Sequence, residues 1–142
     1  MKRLRISALL LLLAVPVLQA AASDGFVVIV NASRADTIDR SEISDIFMKR
    51  MTHWKSDGAA IEPVDQIPAS PSRTRFSDVV LRRNVAAMQA FWQQQIFSGR
   101  DVPPVEKSND DKVIEFVREH PGAIGYVSAD RVLAGVRVVS WQ

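Results

Sequence analysis

The chain has 142 residues, in which 18 lysine and arginine side chains oppose 16 aspartates and glutamates for a net charge of +2. A hydrophobic content of 47% excludes a disordered chain, and the absence of cysteine excludes disulfides, thiolate metal sites and a lipid-modified cysteine anchor. Basic residues near the start precede an apolar run at 6–18 that is too short to span a membrane. With the alanines that follow, this pattern predicts a secretory signal peptide, residues 1–22, cleaved after Ala22.

Removal of that peptide takes several basic side chains with it, so the pI of about 9.3 describes the precursor and does not indicate a nucleic-acid partner. We expect residues 23–142 to form a single domain, because the sequence there contains no repeat, no low-complexity tract and no linker. An exported domain without cysteine is typical of a bacterial periplasm, and a periplasmic location is therefore predicted.

Strand and helix patterns alternate along the first half of this domain. Residues 26–30 are continuously apolar and predict a strand buried on both faces. Asp39, with Glu42 three residues later, predicts a capping box at the start of a helix whose buried face carries Ile43, Ile46 and Phe47. A second, shorter strand is predicted at 61–64.

The second half continues the alternation after a loop at 66–72. Ser70 is suited to cap a second helix and Pro71 to occupy its first position. The remaining predicted elements are a helix from Asn84 to Gly99, an exposed connector at 100–107, a helix that starts near Ser108 or Asn109, a strand at 123–127, a helical turn at 128–133 and a last strand at 136–139. The order predicts an α/β fold, a three-layer sandwich around a mostly parallel sheet.

The residue patterns of catalytic and metal sites are missing from the sequence. His53 and His120 have no metal-ligand spacing, and there is no G-x-S-x-G elbow and no Gly-rich phosphate loop. Asp110 and Asp111 are explained better as first-turn residues of a helix than as paired catalytic carboxylates. The sequence therefore predicts no enzyme activity, no metal and no cofactor.

One loop-to-helix junction has the chemistry of an anion site. It directly follows the predicted strand at 61–64, at the end where open α/β sheets bind ligands. The first turn of its helix offers unpaired N–H groups; Ser70, Ser72 and Thr74 add hydroxyls, and Arg73 adds a guanidinium suited to a tetrahedral oxyanion. Ordinary helix capping explains the same pattern, and both interpretations remain open.

Two further segments give the sequence a resemblance to a known family. Residues 38–47 (IDRSEISDIF), followed by Trp54, and residues 121–127 (PGAIGYV) resemble the phosphate-binding proteins of ABC phosphate transporters, within the type II periplasmic binding protein superfamily. The resemblance runs from residue 26 to 139 and implies one lobe of that two-lobed fold. It also implies that Ser72 and Thr74 correspond to the serine and threonine of the family's S-G-T phosphate loop.

The sequence departs from that family at two positions of the loop. Arg73 stands where the family has glycine, and Pro68 stands where the family has an arginine. The other lobe, with its own phosphate ligands, has no counterpart in the sequence. Three or four charge-assisted hydrogen bonds in a half-open site give a net of about 4 kcal/mol, which corresponds to a dissociation constant of about 1 mM.

Two functions follow from these observations. The first is a periplasmic solute-binding module linked to ABC-type phosphate transport, which binds phosphate or a similar oxyanion weakly as a monomer. A second copy or another protein would then supply the missing half of the site. The alternative is a ligand-free interaction or sensory adaptor module that docks on a membrane transporter, porin or sensor kinase through Arg82, Arg83 or the prolines at 103–104.

Overall fold

The computed structural model describes residues 24–141, so the predicted signal peptide lies outside the described residues. Its elements are the strands β1 (Phe26–Asn31), β2 (Glu62–Gln66), β3 (Val105–Lys107), β4 (Ala123–Ser128) and β5 (Val136–Val139), and the helices α1 (Arg40–Phe47), α2 (Pro71–Phe76), α3 (Val85–Phe97) and α4 (Asp110–Glu119). No helix in this part of the chain has the length and apolar character needed to cross a membrane.

The five strands form one mixed sheet in the order β3-β2-β4-β1-β5. β2 is parallel to both β3 and β4, whereas β1 is antiparallel to its neighbours β4 and β5. Four strands therefore point one way and β1 points the other way. The sheet is mostly parallel in strand direction, as predicted, but its longest ladders are the two antiparallel ones around β1.

Helices cover both faces of this sheet and complete three layers. On one face, Val28, Val30 and Tyr126 pack against the apolar sides of α1 and α2. On the other face, Ile29 and Val127 pack against the buried side of α4. Successive strand residues thus enter opposite cores, which explains the continuous apolar runs. The α/β sandwich predicted from the sequence is confirmed.

The start of α1 forms as the sequence predicts. The carboxylate of Asp39 accepts a hydrogen bond from the backbone N–H of Glu42, and the carboxylate of Glu42 accepts one from the N–H of Asp39. Ile43, Ile46 and Phe47 are buried on the inner face. The capping box and the apolar spacing together fix where this helix begins and which face it turns inward.

The PGAIGYV segment has a packing explanation. A Cβ atom added at Gly122 would lie 2.2 Å from the backbone oxygen of Ala60, and one at Gly125 would lie 2.7 Å from methyl groups of Val113 and Val64. Trp54, which is fully buried, donates its indole N–H to the carbonyl oxygen of Gly122 at 3.1 Å. Both glycines are therefore required by the close approach of neighbouring elements.

The second helix changes from α-helical to π-helical geometry along its length. After Phe76 the chain continues as a π-helical segment, Ser77–Leu81, which ends at Arg82 in the left-handed conformation with φ 56°. Phe76 stacks on Tyr126 with ring centroids 4.0 Å apart, and Val80 is buried beside it. The wider π turn carries the chain from α2 towards α3.

Some predicted boundaries are wrong. The segment 100–107, predicted as an exposed connector, contains strand β3. The segment 128–133, predicted as a helical turn, contains a single hydrogen-bonded turn at 128–131, in which the N–H of Arg131 donates to the carbonyl oxygen of Ser128, and continues without regular structure. The second strand extends to Gln66, which the sequence assigned to the following loop. β3 pairs with only one neighbour and is only three residues long, so the sequence there has almost no strand-like pattern of apolar residues.

Candidate functional site

A pocket lies at the carboxyl ends of β2, β3 and β4, between the first turns of α2 and α4. We call it the site pocket; it has a volume of about 360 Å³. Its lining is formed by Gln66, Ile67, Ala69, Ser70, Pro71, Ser72, Ser108, Asn109, Asp110, Ser128 and Arg131. Open α/β sheets bind ligands at this edge, and the volume suits a small molecule.

Two of the four predicted site residues line the site pocket. Ser70 caps α2: its hydroxyl oxygen accepts a hydrogen bond from the N–H of Arg73 at 3.2 Å, and the hydroxyl donates to the side-chain oxygen of Gln66 at 2.7 Å. Ser72 is only 8% exposed, and its hydroxyl forms no hydrogen bond with residues 24–141. Its N–H, in the first turn, has no acceptor within the helix. Ser72 is thus the free donor of the predicted group.

Thr74 and Arg73 are not brought to the site pocket. The Thr74 hydroxyl lies 3.4 Å from the carbonyl oxygen of Ser70, on the exposed side of the helix. Arg73 points into the protein and is 2% exposed. Its guanidinium forms ion pairs with Asp65 at 2.9 Å and Glu106 at 3.2 Å, and also donates to the carbonyl oxygen of Gln66. In this arrangement Arg73 holds α2 against the end of β2.

The ion pair beneath α2 is part of a buried polar network. The Asp65 carboxylate also accepts hydrogen bonds from the hydroxyl of Tyr126 and, at 2.8 Å, from the N–H of Gln66. Burial raises the pKa of Asp65, while the charge of Arg73 and the Tyr126 hydroxyl act in the opposite direction. Burial also raises the pKa of Tyr126, and the neighbouring carboxylate raises it further. Such a network stabilises one arrangement of the strand end and helix start.

A second pair of charges occupies the opposite wall of the site pocket. The Asp110 carboxylate accepts hydrogen bonds from the side-chain N–H of Gln66 at 2.8 Å and from the N–H of Ser128 at 3.2 Å. Arg131 reaches the same carboxylate through Nε at 3.3 Å and reaches Asp111 through Nη2 at 3.2 Å. Arg131 is the one arginine among the residues that line this pocket.

Sequence reasoning missed this wall for identifiable reasons. Asn109 and Asp110 were explained as the start of a helix, and the Asn109 side chain does accept from the N–H of Lys112. The three residues of β3 give too little periodic signal to predict a strand, so the sequence does not indicate that the junction after them lies at a second carboxyl end beside the first. Arg131 lies in the turn after β4, where no sequence motif indicates a binding residue. Within 24–141, no group of three or more His, Asp or Glu side chains is arranged to hold a metal ion.

Comparisons with known proteins agree on the fold. Residues 16–140 match the family PBP_like_2, described as a PBP superfamily domain. Among solved structures, an ABC-type phosphate transport receptor from Vibrio cholerae is similar with a TM-score of 0.65 and 17% identity over 82% of this chain and 46% of that one. A putative phosphate ABC transporter substrate-binding protein with bound phosphate from Clostridium perfringens is similar with a TM-score of 0.67. Its identity is 21% over 82% of this chain and 44% of that one.

PstS from Borrelia burgdorferi gives a TM-score of 0.65 and 18% identity over 83% of this chain and 47% of that one. Curated proteins give no match. The chain thus spans less than half the length of these solved structures, and at such identities the likeness shows the fold.

Proposed function

Because the chain belongs to the PBP_like_2 family, we propose that it is a periplasmic solute-binding lobe that takes phosphate or a similar oxyanion into the site pocket. The observation that carries this proposal is Ser72, a residue only 8% exposed, which lines the pocket and whose hydroxyl has no partner within the described chain. The similar protein from Clostridium perfringens, whose structure contains bound phosphate, supports the choice of ligand.

The geometry supports modest affinity. Ser72 offers its hydroxyl and its N–H, and Ser108 adds a hydroxyl at the same opening, whereas the hydroxyl of Ser70 already donates to Gln66. Against these donors stands the Asp110 carboxylate, which repels an anion and occupies several donors itself. We expect a dissociation constant of about 1 mM or weaker for the isolated lobe, since water competes at the open side.

Tight binding would need a second surface over the site pocket. We propose that another copy of this chain or a membrane transporter supplies it, and that the protein acts in ABC-type phosphate transport. In this proposal residues 1–22 direct the chain to the periplasm, and residues 23–142 act as one binding domain without cofactor, metal or catalytic role. Arg73 contributes by fixing the start of α2, and Ser72 contacts the ligand.

The proposal is tested by titrating inorganic phosphate into the isotope-labelled domain at constant ionic strength and following backbone amide shifts by NMR. We expect saturable shifts in the first turns of α2 and α4, with a dissociation constant of about 1 mM. Ser72→Ala should weaken binding several-fold. Ser98→Ala is the matched control, because Ser98 bonds only to carbonyl oxygens at the end of α3. Shifts that do not saturate, or that Ser72→Ala leaves unchanged, contradict the proposal.

The alternative function, a docking module without a ligand, is favoured by a different observation. Exposed apolar side chains occur at the end of α3 and in the 100–105 segment: Phe97 is 90% exposed and Val102 57%. A cavity of about 440 Å³ is lined by Val102 together with Pro103, Pro104 and Phe116, among others. This function predicts no response to phosphate but loss of membrane-partner binding in Phe97→Ser, measured by co-purification from detergent extracts.

A further inference from the structure

The cation of the site pocket is not the arginine that the sequence indicated. Arg73 is enclosed by Asp65 and Glu106, whereas Arg131 lines the pocket and is partly exposed. We propose that Arg131 is the cationic ligand residue of the site pocket and that Asp111 restrains it. This inference rests on the proposed function, because it names the group that receives the oxyanion at the same site.

The two carboxylates that contact Arg131 differ in how firmly they are held. Asp110 is 13% exposed and is fixed by the side chain of Gln66 and the N–H of Ser128. Asp111 is 75% exposed, and Arg131 is its one ionic partner within 24–141. Water competes strongly for an ion pair of this second kind, which therefore contributes little to stability. The contact between Arg131 and Asp111 therefore breaks more easily than the contact between Arg131 and Asp110.

The geometry gives each contact a separate role. The Nε of Arg131 stays on Asp110 at 3.3 Å and keeps the guanidinium at the pocket. Nη2, which reaches Asp111 at 3.2 Å, becomes free to donate to an oxyanion when that contact opens. Ser72, a residue that is 8% exposed, lines the same pocket, and its hydroxyl provides the opposing donor. Asp110 is thus a positioning residue and Arg131 a ligand-binding residue.

Charge explains why the restraint matters. Arg131 faces two carboxylates, so this wall of the pocket carries a net negative charge and repels an incoming anion. Neutralising Asp111 removes one repulsive charge and frees Nη2 in a single step. Neutralising Asp110 would disturb Gln66 and Ser128 as well, so it is the less informative variant.

The experiment measures phosphate dissociation constants by NMR for the wild type, Arg131→Gln, Asp111→Asn and the double variant. Asp111→Asn should bind phosphate about fivefold more tightly, and Arg131→Gln at least about tenfold more weakly. The double variant should not show the tighter phosphate binding of Asp111→Asn, because the guanidinium that this substitution frees is absent. Matched controls are Asp101→Asn, an exposed acid outside the pocket, and Arg100→Gln, an exposed arginine outside it; both should leave the constant unchanged.

The outcomes separate the two proposals. If the wild type binds phosphate at the site pocket but Arg131→Gln binds equally well, this inference is overturned and the proposed function stands. If neither the wild type nor Asp111→Asn responds to phosphate, the proposed function itself fails. A wild-type response that becomes stronger in Asp111→Asn, and that loses this gain in the double variant, supports the inference. An equal gain in Asp101→Asn would show a general charge effect and overturn it.

Discussion

The buried pair between Arg73 and Asp65 makes a quantitative prediction about stability. In Arg73→Met, the aliphatic stem is retained while the charge partner of Asp65 is removed. Both side chains are almost fully buried, with 3% and 7% exposure, so solvent screening does not reduce the effect. Leaving a buried carboxylate without its partner costs about 3–5 kcal/mol, a large part of the 5–15 kcal/mol that stabilises a typical domain.

The double variant Arg73→Met/Asp65→Asn shows whether the loss comes from the stranded charge. An amide at position 65 can still accept from the Tyr126 hydroxyl and from the N–H of Gln66. We expect the double variant to be more stable than Arg73→Met alone, even though it carries one more substitution. The measurement is urea unfolding followed by tryptophan fluorescence and circular dichroism.

The sign of the pH dependence gives an independent check. Burial raises the pKa of Asp65 in the folded state, and in Arg73→Met the opposing guanidinium charge is gone. The folded variant therefore favours the protonated carboxyl, so its deficit should shrink as the pH falls from 8 towards about 5. Arg100→Met, at an exposed position, should cost less than about 0.5 kcal/mol. A loss below about 1 kcal/mol in Arg73→Met, or strictly additive losses in the double variant, would refute the reasoning.

Three other predictions concern stability elsewhere in the fold. Asp39→Ala should cost about 1 kcal/mol by urea unfolding, because it removes the capping box, and Asp39→Asn should restore most of this. Gly125→Ala should cost about 1–3 kcal/mol because its Cβ would meet valine methyl groups at 2.7 Å; an unchanged melting temperature would contradict this. Burial acts to raise the pKa of Asp36, but hydrogen bonds from Ser56 and Arg34 lower it overall below 3.8. The ionised Asp36 carboxylate therefore stabilises the fold above pH 3.8, and this stabilisation is lost as the pH falls through the lowered pKa. In Arg34→Met the free energy of unfolding should consequently fall less steeply with decreasing pH than in the wild type.

Most of the fold was predictable because local signals agree with the tertiary structure. The capping box at Asp39, the cap at Ser70 and the cap at Asn84 all form, and each fixes a helix start from a few neighbouring residues. The apolar runs that became β1 and β4 are buried on both faces. β3 was missed because three residues at a sheet edge, preceded by prolines, carry almost no periodic signal.

The candidate site was only half predictable for a related reason. Ser70 and Ser72 lie next to each other in the sequence and share one helix start, so a local pattern identifies them. The orientation of Arg73 depends on Asp65 and Glu106, which lie on two neighbouring strands, and no local pattern indicates that contact. Arg131 reaches the site only because β4 and β2 are neighbours in the sheet.

The position of β1 has a consequence for how the chain acquires its structure. β1 lies between β4 and β5, with Val30 beside Ile124 and Arg137, so both of its partners follow it in the chain only after β2, β3 and the four helices. A nascent chain that stops short of residue 123 therefore lacks both neighbours of β1 and cannot complete the sheet described here. Long-range pairing of this kind slows folding, because the long segment between β1 and β4 must be closed into a loop before their contacts can form.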